Sequence, residues 1–267
     1  MKKKIFWILL VLLILIFCIS TFFVLREVLS RKHTQDLYEQ IAQQKEIHAS
    51  EQTEAPREPE TTENAEQTKP AEQLVQKPAI LPEYRALAKQ NPDMVGWLCI
   101  EDTTIDLPVM YSPDRPDYYL NHDFTGETNR YGCLYIQEDC DLQRPSDNLI
   151  IHGHDMHRDG LMFGNLIFYL EKDFWEAHPR FRFDTLWEHG LYEIIAVART
   201  AVDEFPYYHF IDAAGEEEFN AYVEKCKSIS LYDTGKTAEY GDQLITLSTC
   251  IYHKQGGRLI VVAKKVK

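Results

Sequence analysis

The feature that most constrains the fold of this chain is a series of short β-like runs after about Leu81. Runs rich in β-branched and aromatic residues alternate there with turn signals. They cover residues 95–100, 104–109, 132–137, 148–152, 180–184, 191–200, 243–249 and 258–263. Helical patterns are predicted only at 83–90, 162–174 and 215–228, too few for an alternating parallel α/β sheet. The sequence therefore predicts a mainly β fold, a closed or nearly closed barrel of about eight strands with peripheral helices.

The N-terminus predicts a membrane anchor at residues 1–28. Three lysines precede an uncharged apolar run at 5–25, and Arg26 follows it. An α-helix rises about 1.5 Å per residue, so this run matches a hydrocarbon core of roughly 30 Å. It ends without a small-residue cleavage site, which favours an uncleaved, single-pass anchor. The basic N-terminus favours an orientation with that end inside and the rest of the chain outside the cell.

Residues 29–80 predict an acidic, flexible stalk, and residues 81–267 predict the folded domain. The stretch 51–76 consists mainly of Glu, Gln, Thr, Pro and Ala. Such a stretch buries too little apolar surface to offset its ordering entropy. Residues 34–48, just before it, are able to continue the membrane helix for a few turns. The net charge of −14 argues against nucleic acid as a partner.

One cysteine stands out among the six in the chain. Five lie outside the anchor, so at least one thiol is unpaired, and the sequence leaves open whether Cys133 pairs with Cys140. Cys250 ends the β run Leu-Ile-Thr-Leu-Ser-Thr, and the next strand begins at Arg258. A hairpin would place the guanidinium beside the thiol, which suits a nucleophile that attacks a carbonyl. The alternative is a buried structural cysteine and a surface arginine.

A nucleophilic thiol also needs a base or a cationic partner, because its ordinary pKa lies near 8.5. The candidate is His154, which follows the run 148–152 in the sequence His152-Gly153-His154. His152 continues the alternation of that strand and is expected at the edge of the core. His157 lies in a polar loop and is expected to be exposed.

Together these motifs resemble the sortase family, and in particular its class B. The resemblance rests on Thr-Leu-Ser-Thr-Cys ending at Cys250, on Arg258 eight residues later, and on the upstream Gly153-His154. It extends from about Glu83 to the C-terminus. It includes Val95-Gly96-Trp97, residues 117–124, Met162-Phe163, residues 230–235 and a helix at 215–228 before the last strand pair.

The resemblance implies an eight-stranded sortase barrel and a cysteine transpeptidase with Cys250, His154 and Arg258 as catalytic residues. It implies no cofactor and no metal. The implied partners are secreted proteins whose C-terminal sorting signal is cut after threonine, and an amine of peptidoglycan, its lipid-linked precursor or a pilin. The enzyme would face the cell wall of a Gram-positive cell from the plasma membrane. His152 departs from the aromatic residue, such as tyrosine, that the family often has there.

Other functions remain as alternatives. His152-x-His154-x-x-His157 resembles the zinc motif of the metallo-β-lactamase superfamily, which predicts a metal-dependent hydrolase. However, Met156 stands where that motif needs Asp, and the βα alternation of that fold is missing. A papain-like hydrolase has its cysteine before its histidine, the reverse of this order. The third alternative is a non-enzymatic binding module on a stalk.

Overall fold

The computed structural model describes residues 2–51, 79–251 and 254–266. By its internal contacts the chain divides into two units, Met1–Ile41 and Ala42–Lys267. Helix α1, Lys2–Glu51, is continuous. Within the described residues, one helix is long and apolar enough to cross a membrane, over Lys3–Ser50. That criterion concerns length and composition, and an N-terminal signal sequence also meets it.

The predicted stalk is described only in part. Its first residues belong to α1, in agreement with a continuation of the helix through 34–48. Residues 52–78, which carry most of the stalk prediction, lie outside the described residues. The described residues resume at 79, and Pro82–Gln90 form helix α2. This helix ends at Asn91, as the Asn-Pro-Asp sequence predicts.

Eight strands close into a barrel in the order β1-β2-β3-β4-β9-β10-β8-β7. A further short pair, β5 and β6, lies outside it. The strands are β1 Met94–Cys99, β2 Asp106–Met110, β3 Leu134–Ile136, β4 Asn148–His152, β5 Asp155–Met156, β6 Leu161–Met162, β7 Arg180–Thr185, β8 Leu191–Ala201, β9 Leu244–Cys250 and β10 Gly257–Lys265. Each barrel strand coincides with one of the predicted runs, so the prediction of a closed, mainly β barrel is confirmed.

Two of the pairings in the barrel are parallel, and the sequence did not indicate them. β2 pairs with β3 and β4 pairs with β9 in parallel, whereas all other barrel neighbours are antiparallel. A parallel pair needs a long crossover, and here the crossover from β4 to β9 contains β7, β8 and helix α4. Because β4 and β9 run in the same direction, their C-terminal ends meet at the same rim of the barrel.

Helix α4, Glu216–Ser228, packs against β8, reaches β9 through Tyr222 and was predicted correctly. Its apolar face is buried through Phe219, Tyr222, Val223 and Cys226. The Tyr222 hydroxyl lies 3.3 Å from the Thr246 hydroxyl in the middle of β9. β9 is therefore buried on both faces along its length, and only its last residue, Cys250, is partly exposed.

The helix predicted at 162–174 is wrong. The structure has β6 there, then a 3₁₀ helix Gly164–Leu170, and then a short helix α3, Lys172–Ala177. Met162 adopts a φ of 50°, a left-handed conformation that an α-helix excludes. Glu171 is extended and separates the two helical pieces. Apolar residues do recur at helical spacing over 162–174, but the two backbone breaks divide this segment into three elements.

Candidate active site

The hairpin of β9 and β10 places Cys250 directly opposite Arg258. Opposed residues of an antiparallel pair have Cα atoms about 5 Å apart. The connecting turn is closed by hydrogen bonds from the Ile251 N–H to the Gly257 carbonyl and from the Gly257 N–H to the Lys254 carbonyl, both 3.1 Å. The predicted hairpin is thus present, and it holds the thiol and the guanidinium at one rim of the barrel.

The parallel pair of β4 and β9 brings the segment of His154 to the same rim. His152, the last residue of β4, is in register with Ser248, two residues before Cys250. The Gly153 N–H donates to the Ser248 carbonyl at 3.2 Å. The Thr249 hydroxyl donates to the Gly153 carbonyl at 2.7 Å. The residues just before Cys250 therefore bind the backbone just before His154.

Gly153 is required by the space around it. A Cβ at this position would lie 2.5 Å from Leu134 Cδ2 and 2.7 Å from Phe163 Cδ2. Neither gap accommodates a methyl group without a shift of its neighbours. The glycine of Gly-His therefore lets the chain pass between two buried side chains before it presents His154.

The His154 imidazole is held by a backbone carbonyl. Its Nε2 lies 2.8 Å from the Leu120 carbonyl oxygen. Since a carbonyl only accepts, Nε2 carries the proton in this contact. In the neutral ring Nδ1 is then the nitrogen with a lone pair. The backbone of His154 is also fixed, because its carbonyl accepts from the Phe163 N–H at 3.0 Å.

Cys250, His154 and Arg258 line one cleft of about 620 Å³. The structure therefore brings together all three residues that the sequence predicted for the site. The Arg258 guanidinium donates to the Gly257 carbonyl at 3.1 Å through Nη1. Tyr207 and Ser248 also line the cleft, and their hydroxyls lie 2.6 Å apart. Burial raises the pKa of Tyr207, while its bond to Ser248 and the charge of Arg258 oppose that rise.

The other cysteines of the barrel domain lie in different surroundings. Cys133, Cys140 and Cys226 are buried, and burial raises the pKa of both Cys140 and Cys226 to about 12. Cys99 is partly exposed, and its sulfur accepts from Arg182 Nη2 at 3.4 Å outside the cleft. In the part of the chain that the structure describes, the six cysteines are thiols, and Cys133 and Cys140 form no disulfide with each other. Cys250 is the thiol that the cleft contains.

The three histidines of the alternative zinc motif face different partners. His152 Nε2 lies 3.2 Å from Gln137 Oε1, whereas His154 binds Leu120. His157 Nδ1 lies 3.0 Å from the Asp155 carboxylate. In the described part of the chain, no group of converging ligand atoms includes these histidines. The arrangement does not resemble a three-histidine metal centre.

Sequence reasoning missed several residues of the cleft, among them Leu120, Gln137 and Tyr207. Leu120 acts through its backbone carbonyl, which leaves no trace in side-chain chemistry. Gln137 ends a strand run and Tyr207 follows Pro206 between β8 and α4, so neither lies in a recognisable motif. The only signal was the aromatic cluster of Tyr207 and Tyr208 between β8 and α4.

A second, smaller cavity of about 280 Å³ lies at the opposite end of the barrel. It is lined by the first residue of β9, Leu244, and by residues such as Leu149, Phe183 and Trp187. Neither a histidine nor a cysteine is among its lining residues. Of the two cavities, only the cleft at the rim of Cys250 is lined by a thiol and by imidazoles.

The rim of this closed barrel holds a thiol, an imidazole and a guanidinium in one cleft. This is the architecture of a cysteine transpeptidase of the sortase type. Comparisons with known proteins agree with this assignment. Sortase B of Listeria monocytogenes is 39% identical over 188 residues, which are 69% of this chain and 74% of that protein. The structure of sortase B from Bacillus anthracis has a TM-score of 0.70 at 29% identity, covering 90% of this chain and 99% of the other. The Staphylococcus aureus sortase B–substrate complex has a TM-score of 0.73 at 25% identity, covering 88% and 97%. No protein-family model matches the chain.

The chain therefore belongs to the sortase B family. It has the eight-stranded barrel of that family and is a sortase-type cysteine transpeptidase. The family as a whole anchors proteins to the cell wall.

Proposed function

We propose that this enzyme cuts a C-terminal sorting signal of secreted proteins after a threonine and joins the new carboxyl end to an amine. The acceptor is an amine of peptidoglycan, of its lipid-linked precursor or of a pilin. The observation that carries the proposal is the meeting of Cys250, His154 and Arg258 in one cleft, held there by the β4–β9 and β9–β10 pairings. The S. aureus relative was solved as a sortase B–substrate complex, which supports a substrate site in this fold.

In the first half of the reaction, Cys250 Sγ attacks the carbonyl carbon of the scissile peptide bond. A sulfur–carbon bond forms, the carbon–nitrogen bond breaks, and the departing amine takes a proton. Cys250 is the cysteine that is both partly exposed and placed opposite a cation in the cleft. The buried thiols have no access to a peptide, and burial holds two of them in the protonated form.

His154 acts as the acid–base group through Nδ1. Its Nε2 is occupied by the Leu120 carbonyl, so Nδ1 is the nitrogen free to exchange a proton with the substrate. His154 Nδ1 takes the thiol proton of Cys250 and passes it to the leaving amine, and it later accepts a proton from the incoming amine and returns it to the departing sulfur. The bonds of Gly153 to Ser248 and Thr249 keep the ring near Cys250 through both steps.

Arg258 stabilises the negative charge that develops on the carbonyl oxygen. Its guanidinium stays protonated at any working pH and offers several donors in one plane. The guanidinium has five N–H donors, and its described partners are the Gly257 carbonyl and Tyr207, which leaves donors for the oxyanion or for the substrate backbone. Such donors act where charge appears in the transition state.

The acceptor is expected to be an amine that is protonated in solution. Glu138 and Asp139 line the cleft that contains Cys250. Their carboxylates favour the approach of a cationic group by simple Coulomb attraction. A thioester reacts faster with amines than with water, so transfer prevails over hydrolysis once the amine is bound.

We further propose that α1 anchors the enzyme in the plasma membrane, with its N-terminus inside and the barrel facing the cell wall. The exposed apolar side chains of residues 5–25 support a lipid environment for this part of α1. Three lysines precede the apolar run and support the inside position of the N-terminus. Residues 29–80 then act as a spacer between membrane and barrel.

The test is cleavage of a peptide library by the full chain in detergent, with triglycine as acceptor. Mass spectrometry should detect the acyl group on Cys250, cleavage after threonine and a new bond to triglycine. Cleavage with no mass added to Cys250, or products that never contain the amine, would overturn the proposal. Complete inhibition by EDTA would instead favour the metal-dependent alternative.

A further inference from the structure

The side chain of Gln137 has a defined orientation in the cleft. Its amide nitrogen donates to the Tyr208 carbonyl at 2.9 Å. The amide oxygen therefore faces the other way, towards His152 Nε2 at 3.2 Å. A carbonyl of the backbone thus determines which atom of Gln137 meets the imidazole.

This orientation defines the tautomer of His152. An amide oxygen only accepts, so Nε2 of His152 must carry the hydrogen, and Nδ1 keeps its lone pair. Burial lowers the pKa of His152 to about 4, with Asp117 opposing and Arg258 reinforcing that effect. The imidazole is therefore neutral at the pH of ordinary growth, and Nδ1 is an acceptor.

The position of His152 places its ring in the cleft that contains Cys250. His152 lines the same cleft as Ser248 and Cys250, and it is in register with Ser248 on the neighbouring strand. The Tyr135 ring, 5.4 Å away between centroids, limits its rotation. Among the described residues Nδ1 has no hydrogen-bond partner, while Nε2 has one. A residue that lines the cleft thus keeps a ring nitrogen with an unused lone pair.

We propose that His152 is a specificity-determining residue whose Nδ1 accepts a hydrogen bond from an amide or hydroxyl side chain of the sorting peptide. The inference rests on the proposed function and names a feature of its substrate. A side chain without a donor, such as valine, leucine or methionine, would leave Nδ1 desolvated and unpaired. Sites built to bind a hydrogen-bond donor reject analogues that lack the donor. For a partly exposed site we expect kcat/KM for such an analogue to be about 10- to 100-fold lower.

The experiment compares peptides that differ in one donor. The substrates are internally quenched sorting peptides, and triglycine is the acceptor. At each of the four positions before the cut, a side chain with a donor is compared with a similar one without a donor: Thr with Val, Asn with Leu, and Gln with Met. The full chain in detergent should show a kcat/KM ratio of at least about 10 for one of these pairs. In His152→Phe, which keeps an aromatic ring beside Tyr135, that ratio should fall to within about threefold because the donor peptide loses its partner. His157→Ala, outside the cleft, should retain the ratio.

A second variant separates hydrogen bonding from space filling. Gln137→Met removes the acceptor that keeps the hydrogen on Nε2 but leaves the imidazole in place. The donor preference should then drop at least about threefold, because Nδ1 is free to carry the hydrogen. A role in packing alone would leave the preference unchanged.

The possible failures are distinguishable. A parent enzyme that cleaves and transfers, yet keeps its donor preference in His152→Phe or has none, overturns the role of His152 alone. A parent that transfers no peptide to triglycine overturns the proposed function, and this inference with it.

Discussion

The two ends of the barrel differ in chemistry although the same strands build them. At one rim, β4 ends at His152, β9 ends at Cys250 and β10 carries Arg258 as its second residue, around a cleft of about 620 Å³. At the other, these strands contribute Leu149, Leu244 and Lys265 to a cavity of about 280 Å³ with a mainly apolar lining. Strand direction therefore places the thiol, imidazole and guanidinium groups at one rim and a mainly apolar lining at the other.

The largest expected effect is the loss of the thiol at the reactive rim. Cys250→Ala should lower kcat/KM for peptide cleavage by at least about 10³-fold, since no acyl-enzyme forms without Sγ. Mass spectrometry of the enzyme mixed with peptide should show no adduct. Cys99→Ala, outside the cleft, should stay within about threefold of the parent. A Cys250→Ala variant with more than a tenth of parental activity would mean that another group attacks the peptide.

Arg258 comes next. Arg258→Lys should lose about 10²–10³ in kcat/KM, nearly as much as Arg258→Ala, because one ammonium cannot reproduce planar, paired donation. Circular dichroism should show both variants folded. Lys254→Ala in the same hairpin, where the native lysine pairs with Glu204, serves as a control and should be close to neutral. If Arg258→Lys kept half of the parental activity, Arg258 would contribute only its positive charge.

His154→Ala should lower both cleavage and transfer at least about 10²-fold, the usual minimum for a positioned acid–base group. His157→Ala should be nearly neutral, because His157 binds Asp155 in a loop outside the cleft. EDTA should have no effect on the parent. Comparable damage in both variants, together with inhibition by EDTA, would point to a shared metal ion instead.

At the opposite rim the expected effect is on stability. Leu244 is 1% exposed, so Leu244→Ala should lower the free energy of unfolding by about 2–5 kcal/mol and reduce Tm. At 25 °C, kcat/KM of the folded variant should remain within about threefold of the parent. If Leu244→Ala instead lost as much activity as His154→Ala with no change in Tm, the division of roles between the two rims would be wrong.

The smallest effect concerns the pH dependence of stability. The pKa of His152 is about 4 in the folded protein and ordinarily 6.5. Between these values the unfolded chain binds a proton that the folded chain does not, so His152 lowers stability as pH falls from 6.5 to 4. The partial exposure of the ring limits this loss to roughly 1–2 kcal/mol. The drop in Tm between pH 7 and 4.5 should be smaller in His152→Phe, and equal drops would show that the pKa is not depressed.

Much of this architecture was predictable because its signals are local. Each barrel strand carries its own β-branched and aromatic run, and α4 has its apolar face at helical spacing. Cys250 and Arg258 share a hairpin, so their meeting needed only a short loop. The helix expected at 162–174 failed for the opposite reason, because the left-handed turn at Met162 depends on surrounding contacts that periodicity does not encode.

The sequence by itself determined the strands, the hairpin of Cys250 and Arg258 and the motifs that resemble a sortase, since these depend on residues close together in the chain. Only the tertiary structure decided that β4 lies parallel to β9, which brings His154 to Cys250 across nearly a hundred residues. It also decided that Leu120 holds Nε2 of His154, and that Gln137, oriented by Tyr208, holds Nε2 of His152. The physical reason is that proton positions on imidazoles depend on the nearest acceptor in space, and strand pairing selects that acceptor from distant parts of the chain.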